Sequence, residues 1–215
     1  MAIPDQVIFA ANTTFGDVRK LTDDSKKIQI LRLRLDDILI RQIGNLAAKE
    51  NDKLLVNSPY PLTVLTCIAC ETLGRIIIDT NKHKNEDISR KGSIEVFKKI
   101  DPVFSRPMTK TFKKQMQGYW TNEDISSIKN YATIFYKYLR TSFTHGYRAK
   151  NVFLNHKLSE GWKIESGYLI INPYWFWSEF VIVYEKEFVK ILDTSEKNNP
   201  SRKYALQYLD SLIKK

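Results

Sequence analysis

Apolar positions recur at three- and four-residue steps along much of the chain. After Asp23, Asp24 and Ser25, the residues Ile28, Leu31, Leu35, Ile38 and Leu39 form one stripe, the pattern of a helix with a face on a core. Ile30, Leu33 and Ile40 form a second stripe on the same segment. A helix apolar on two sides is expected inside a bundle or at a subunit interface, here running to about Ala48. Pro59 and Pro61 mark the next start, because proline is tolerated in a first helical turn. The helix from Leu62 to Asp79 carries Leu65, Ile68, Ala69, Leu73, Ile76 and Ile77 on its apolar arc. Glu71 and Arg75, four apart, share a face. With few other charges in this helix, Glu71 is expected to be partly buried and to need a cationic partner.

Elsewhere the pattern is broken. Residues 1–22 read as irregular, and residues 80–92 as a polar basic loop with His83 in solvent. Short helices are expected at 93–100 and 108–117, separated by Asp-Pro and Arg-Pro breaks. Asn122 reads as a helix cap, with Glu123 and Asp124 in the first turn. Ile125, Ile128, Tyr131, Ala132, Phe135, Tyr138 and Leu139 then stripe one helix that continues through Arg140 and ends near His145 and Gly146. Beyond Gly146 the period changes to that of short strands, with Ser166-Gly167 as a tight turn in a hairpin or three-stranded flap. Pro173 opens another helix, striped by Trp177, Phe180, Val181, Tyr184, Phe188 and Ile191, with Trp175, Phe176 and Val183 on other sides. Pro200 opens a last one. The reading is a mainly α fold and one domain over 1–215. Its helical core spans about 24–147, with a small β-hairpin near 150–172 and C-terminal helices. The two-sided apolar helices also predict a homodimer, since one copy would struggle to cover them.

Composition supports the helical reading. Only 8 glycines and 7 prolines occur in 215 residues, too few for a turn-dense β-sandwich or barrel. Charge adds a partner class. Lys and Arg number 34 against 24 Asp and Glu, a net charge of +10 that favours polyanions, nucleic acid first and an acidic membrane surface second. No targeting segment is read at the start, and prolines or polar residues interrupt both long apolar runs, 54–70 and 168–184. A cytoplasmic protein is expected, with no membrane partner. Cys67 and Cys70 form a C-x-x-C inside an apolar helical pattern and read as buried thiols. The three histidines form no H-x₃₋₅-H pair to complete a zinc site, and no metal or cofactor is expected. Phosphate-binding glycine loops, H-E-x-x-H and G-x-S-x-G are absent from the chain. The paired carboxylates 23/24, 36/37 and 123/124 lie at helix starts or on helix surfaces, where capping and solubility explain them.

One segment retains chemistry, KYLRTSFTHGYRAK. Arg140 and His145 have four residues between them at the end of an amphipathic helix. This resembles the R-x₄₋₆-H motif of the HEPN superfamily, helical nucleic-acid-associated domains that include metal-independent ribonucleases. The resemblance covers Arg140, His145, their helix and, loosely, the α-rich stretch 24–147. It implies a HEPN-like bundle and an endoribonuclease whose Arg and His face a homodimer cleft. It also implies a toxin-antitoxin or antiviral defence setting, with a regulatory partner protein or antitoxin. Thr141 stands where the family often has Asn, Asp or His after the Arg. It is polar but cannot titrate.

The residue chemistry agrees. Cleavage of RNA by its own 2′-hydroxyl needs a base, an acid and a cation on the crowded phosphate. Histidine titrates near neutrality and serves as base or acid. Arginine clamps phosphate oxygens in two-pronged fashion. On a regular helix five residues turn through about 500°, so Arg140 and His145 fall on different faces. A two-fold axis would supply the second Arg and His. Glu71 is a candidate to hold Arg140 in place. Lys110, Lys113, Lys114, Arg148 and Lys150 are candidate phosphate contacts, and Tyr147 a stacking surface for a base. Plainer readings stand beside these. His145 is then a helix-end histidine on free carbonyls, Arg140 a salt bridge to Glu71, and the basic run a solvated face. His156, in a strand-like stretch, reads as incidental. The functional alternatives to the nuclease are a non-catalytic HEPN-like module that binds RNA, nucleotide or protein, and a membrane-surface or assembly protein using the aromatic helix 173–192.

Overall fold

A computed structural model describes residues 3–48, 59–79, 85–140, 151–193 and 199–214. These residues are mainly helical, with two small sheets. The N-terminal stretch is ordered, contrary to the expectation of irregular chain. Strands β1 (Ile8–Ala10) and β2 (Thr13–Thr14) pair antiparallel and lead into helix α1 (Phe15–Lys20). Thr14 and Asp17 close that helix start reciprocally. The Thr14 hydroxyl accepts from the Asp17 amide, and the Thr14 amide donates to the Asp17 carboxylate. Six residues are too few for a periodic stripe, so this helix is signalled by its cap alone. Phe9 and Phe15 meet edge to face at 5.0 Å and are buried, with the Arg34 guanidinium over the Phe9 ring.

Asp23 caps α2 (Asp24–Leu35), accepting from Ser25 and Lys26, and the helix runs through a π-wound segment, Asp36–Gln42, into α3 (Ile43–Ala48). Ile28, Leu31, Leu35 and Leu39 are buried as their stripe requires. The second stripe is only half-covered, and Leu33 lies exposed.

Helix α4 (Pro59–Ile77) is the central element, packed by α5 (Asn85–Ile100). It is also the described helix long and apolar enough to cross a membrane, by length and composition, with half of that stretch buried in the fold. Helix α5 begins inside the segment expected to be a loop. Its face toward α4 is built from Ser89, Gly92, Ser93 and Val96, at helical spacing but mostly small, so it gives little hydrophobic signal. Those small residues serve close packing. A Cβ on Gly74 would lie 2.3 Å from the carbonyl carbon of Gly92, so the two backbones touch where the helices cross.

Asp101 caps a 3₁₀ turn (Pro102–Ser105), and α6 (Lys110–Met116) follows, capped by Thr109. The single helix expected from Asn122 is instead two pieces. Thr121, not Asn122, caps α7 (Asn122–Ser127). The chain extends at Ile128, bridges Pro107 to Asn130, and restarts as α8 (Tyr131–Ile134) under an Asn130 cap. Ser126 and Ser127 hydroxyls donate back to the carbonyls of Glu123 and Asp124, and Asn130 competes for the next free amide, which explains the break. The stripe survives it, because Ile125, Ile128, Ala132, Phe135, Tyr138 and Leu139 are all buried. From Phe135 to Arg140 the winding is π.

Strands β3 (Val152–Leu154), β4 (Trp162–Glu165) and β5 (Tyr168–Ile171) form a three-stranded sheet in the order β3-β5-β4. β3 runs parallel to β5, while β4 and β5 make the expected hairpin. Ser166 and Gly167 both have positive φ, as a two-residue type I′ turn demands. Helix α9 (Pro173–Val183) continues through a π-wound stretch (Tyr184–Phe188) into α10 (Val189–Ile191), and α11 (Pro200–Ile213) ends the described chain. Phe104, Phe135, Phe176 and Trp162 interlock around α5, with Phe104 and Phe135 centroids 4.1 Å apart. Phe176, Trp177, Phe180, Val183, Tyr184, Phe188 and Ile191 are all buried within one copy. Trp175 and Val181 are half-buried and Ile182 is exposed, so the apolar surface of this helix is covered largely, though not wholly, by its own chain.

Candidate functional site

Three elements converge on Glu71. Helix α4 presents Cys67, Glu71 and Arg75 at four-residue steps on one face. The close crossing at Gly74 and Gly92 brings Ser89 of α5 alongside. The π-wound segment delivers Tyr136 and Arg140. Arg140 Nε donates to Glu71 Oε2 at 3.1 Å and Arg140 Nη2 to the same oxygen at 2.6 Å. Glu71 Oε1 accepts from the Ser89 hydroxyl at 2.6 Å and from Arg75 Nη2 at 3.3 Å. Arg75 Nη2 also donates to Ser89 Oγ at 2.7 Å. The side chains of Glu71 and Arg140 are each 18% exposed, so this pair is shielded but still borders solvent. The Tyr136 ring lies 5.8 Å from the Arg140 guanidinium carbon.

Burial alone would raise the Glu71 carboxyl. Hydrogen bonds from Ser89 and Arg140, with the Arg140 charge, more than offset it and hold the group below its ordinary range. Burial likewise works against the Arg140 charge, and the Glu71 carboxylate reverses that effect. Both groups are therefore ionised at neutral pH. Glu71, Arg75 and Arg140 together sum to one positive charge. Cys67 and Cys70 are fully buried, as the sequence suggested, and burial pushes both thiols up, so they are protonated. Among the described residues no group of three or more His, Cys, Asp or Glu side chains could hold a metal ion.

Of the residues singled out in the sequence, Arg140 and Glu71 are brought together. Thr141, His145, Tyr147, Arg148 and Lys150 lie outside the described residues, as does His83. Lys110, Lys113 and Lys114 sit on α6, an element separate from the Glu71 cluster, and make no ion pair among the described residues. His156 is exposed beyond β3. Ser89 belongs to the cluster and carries no signature of its own in the sequence. Its helix face of small residues is the only trace. A cleft of about 670 Å³ lies elsewhere, between β1 and the helix 24–48, lined by Ile8, Phe9, Leu33, Arg34, Asp36 and Arg41. Its carboxylates are engaged, Asp36 by the Tyr184 hydroxyl and Asp37 by Arg41. Comparison with protein-family models, curated proteins and solved structures finds no match to this chain.

Proposed function

We propose that the chain is a HEPN-like, metal-independent endoribonuclease that acts as a homodimer, with Arg140 as phosphate clamp and His145 as general base or acid. The observation that carries this reading is the fixing of Arg140 by Glu71. A long arginine is costly to order, and two hydrogen bonds to a carboxylate that is itself held by Ser89 and Arg75 order it before any substrate arrives. Arg140 stands five residues before His145, so a preset guanidinium adjoins the segment that bears the chain's candidate proton carrier. In the reaction, one histidine takes the 2′-hydroxyl proton while that oxygen attacks phosphorus. A second histidine, from the other copy, protonates the departing 5′-oxygen. The arginines balance charge on the phosphate. A toxin or defence effector under the control of a partner protein fits such an activity.

The same geometry also favours a second reading. Glu71 already occupies Nε and Nη2 of Arg140, which is what a purely structural salt bridge would show. The protein is then a non-catalytic module that binds RNA. Incubating the purified protein with total RNA in EDTA separates the two. Cleavage that persists in EDTA and falls about 10²–10⁴-fold in His145→Ala is expected. Cleavage by His145→Ala at the wild-type rate overturns the mechanism, and intact RNA that is nevertheless bound establishes the binding module.

A further inference from the structure

The sheet shows an exposed aromatic face that the Arg140 site does not use. Its inner side is committed to the core, with Leu169 and Ile171 fully buried and Trp162 against Phe104 and Phe135. On its outer side, Phe153 of β3 lies beside Ile170 of β5, and Tyr168 stands two residues before Ile170 on the same face. Phe153 is 55% and Tyr168 40% exposed, large fractions for rings that have a core available. Their centroids are 4.8 Å apart with planes tilted by 45°, so the rings pack on one another and both still keep exposed surface. Tyr119, 56% exposed, packs its Cβ and Cγ on Gly167, the residue just before Tyr168. The row is held rigidly. The neighbouring Trp120 is buried and donates from its indole Nε1 to the Gly167 carbonyl at 2.7 Å.

Charge says what would cover this row. Tyr119 follows α6, whose Lys110, Lys113 and Lys114 have no acidic residue on their own helix and no ion pair among the described residues. On the sheet face itself, Glu165 is paired with Lys163 at 2.9 Å. Exposed rings on a fixed base, with unpaired cations on the helix that ends three residues before Tyr119 and a net charge of +10 on the chain, match bases joined by a charged backbone. An apolar protein partner would leave the lysines without counter-charges.

We infer that Tyr119, Tyr168 and Phe153 form a stacking ledge for single-stranded RNA, with the lysines of α6 tracking its phosphates. This deepens the reading of the chain as an RNA-acting protein and rests on it. The ledge binds substrate and moves no proton. Trp162, on the inner side of the same sheet, packs on Phe135, which belongs to the segment that carries Arg140.

The test uses a fluorescent, uncleavable 2′-O-methyl uridine 12-mer and the full chain, read by anisotropy. Tyr168→Ala and Phe153→Ala are each expected to weaken binding about 5- to 100-fold. Tyr168→Phe should bind as the wild type does. Lys114→Gln should flatten the salt dependence by about 0.7 in log–log slope. Thermal melts of both alanine variants check that they remain folded. A folded Tyr168→Ala and Phe153→Ala pair that binds within twofold of wild type overturns the ledge. So does a wild type that fails to bind the 12-mer, or alanine variants that lose dimer mass while keeping RNA affinity. Because the oligomer cannot be cut, ledge binding without any nuclease activity keeps the ledge and removes the nuclease. Cleavage untouched by the alanine variants does the reverse.

Discussion

Gly74→Ala is expected to damage this protein although alanine is the better helix former. In an isolated helix the change would gain about 1 kcal/mol. Here the added methyl carbon would sit 2.3 Å from the carbonyl carbon and 2.5 Å from the Cα of Gly92. Carbon atoms at rest stand about 3.5 Å apart, so α4 and α5 would have to separate by about 1.2 Å. Both obstacles are backbone, so no side chain can turn aside. Overpacking of this kind costs about 1–3 kcal/mol and sometimes more. Separation would also stretch the 2.6 Å hydrogen bond from Ser89 to Glu71, which lies one helical turn from the crossing. That bond, made to a charged group, is worth about 1.5–3 kcal/mol, so after the helix-propensity gain is subtracted the net expectation is a loss of about 2–4 kcal/mol. For a chain of this length that is a fall in Tm of about 5–15 °C. Gly92→Ala should behave alike. The double variant should cost less than the sum, since one methyl already parts the helices. Gly118→Ala is the control, because a Cβ there meets nothing within 4 Å, and its Tm should stay within a few degrees. Differential scanning calorimetry reads the four variants beside the wild type. A Gly74→Ala protein that melts at or above the wild type would refute the backbone contact.

Three further outcomes follow from the Glu71 cluster and its helix. Glu71→Ala strands Arg140 and Arg75 and should cost about 2–4 kcal/mol in urea unfolding, with Arg140→Ala partly relieving it in a double-mutant cycle; additivity would mean that the pair is not coupled. Because the folded chain holds Glu71 below its ordinary value of 4.5, the unfolded chain binds more protons in that range. The stability from this group is thus complete above pH 4.5 and falls as pH drops through the folded value, so wild type and Glu71→Gln should converge in urea midpoint between pH 7 and pH 3. Cys67 and Cys70 should resist a thiol reagent in the native protein and react at the unfolding rate, and rapid labelling without denaturant would contradict their burial.

The long apolar elements were legible in the sequence because they follow one rule over many residues. The stripe from Ile28 to Leu39, the proline starts at 59, 173 and 200, and the type I′ turn at Ser166-Gly167 all appear where spacing and turn chemistry place them. What escaped was short or small. Helix α1 depends on a Thr14–Asp17 cap, a signal only four residues long. The first two turns of α5 face α4 through serine and glycine, so a hydrophobic pattern could not reveal them. The break between α7 and α8 preserves the apolar stripe, and only the serine hydroxyls and the Asn130 cap betray it. For the helix after Pro173 the sequence shows how many sides are apolar and not how many neighbours arrive, and in the fold most of those sides are covered while Ile182 stays exposed.

The Arg140 cluster divides along the same line. Glu71 announced itself as a lone acid in an apolar helix, and such a residue must find a cation when it is buried. Arg140 was one candidate for that cation, and the ion pair is present. Ser89 did not announce itself, because a serine that completes a carboxylate's shell looks like any other serine. It reaches Glu71 only because two glycines let the backbones touch. The position of Arg140 therefore rests on Gly74 and Gly92 as much as on its own ion pair. Loosening that crossing without touching any charge should release Ser89 from Glu71 first. Glu71 would then be held by two arginines alone, with one acceptor site facing solvent, and Arg140 would gain rotamers. A nuclease built on a preset guanidinium should lose rate in Gly92→Ala beyond what its fraction unfolded explains. A module whose Arg140 is only a strut should lose stability and nothing else.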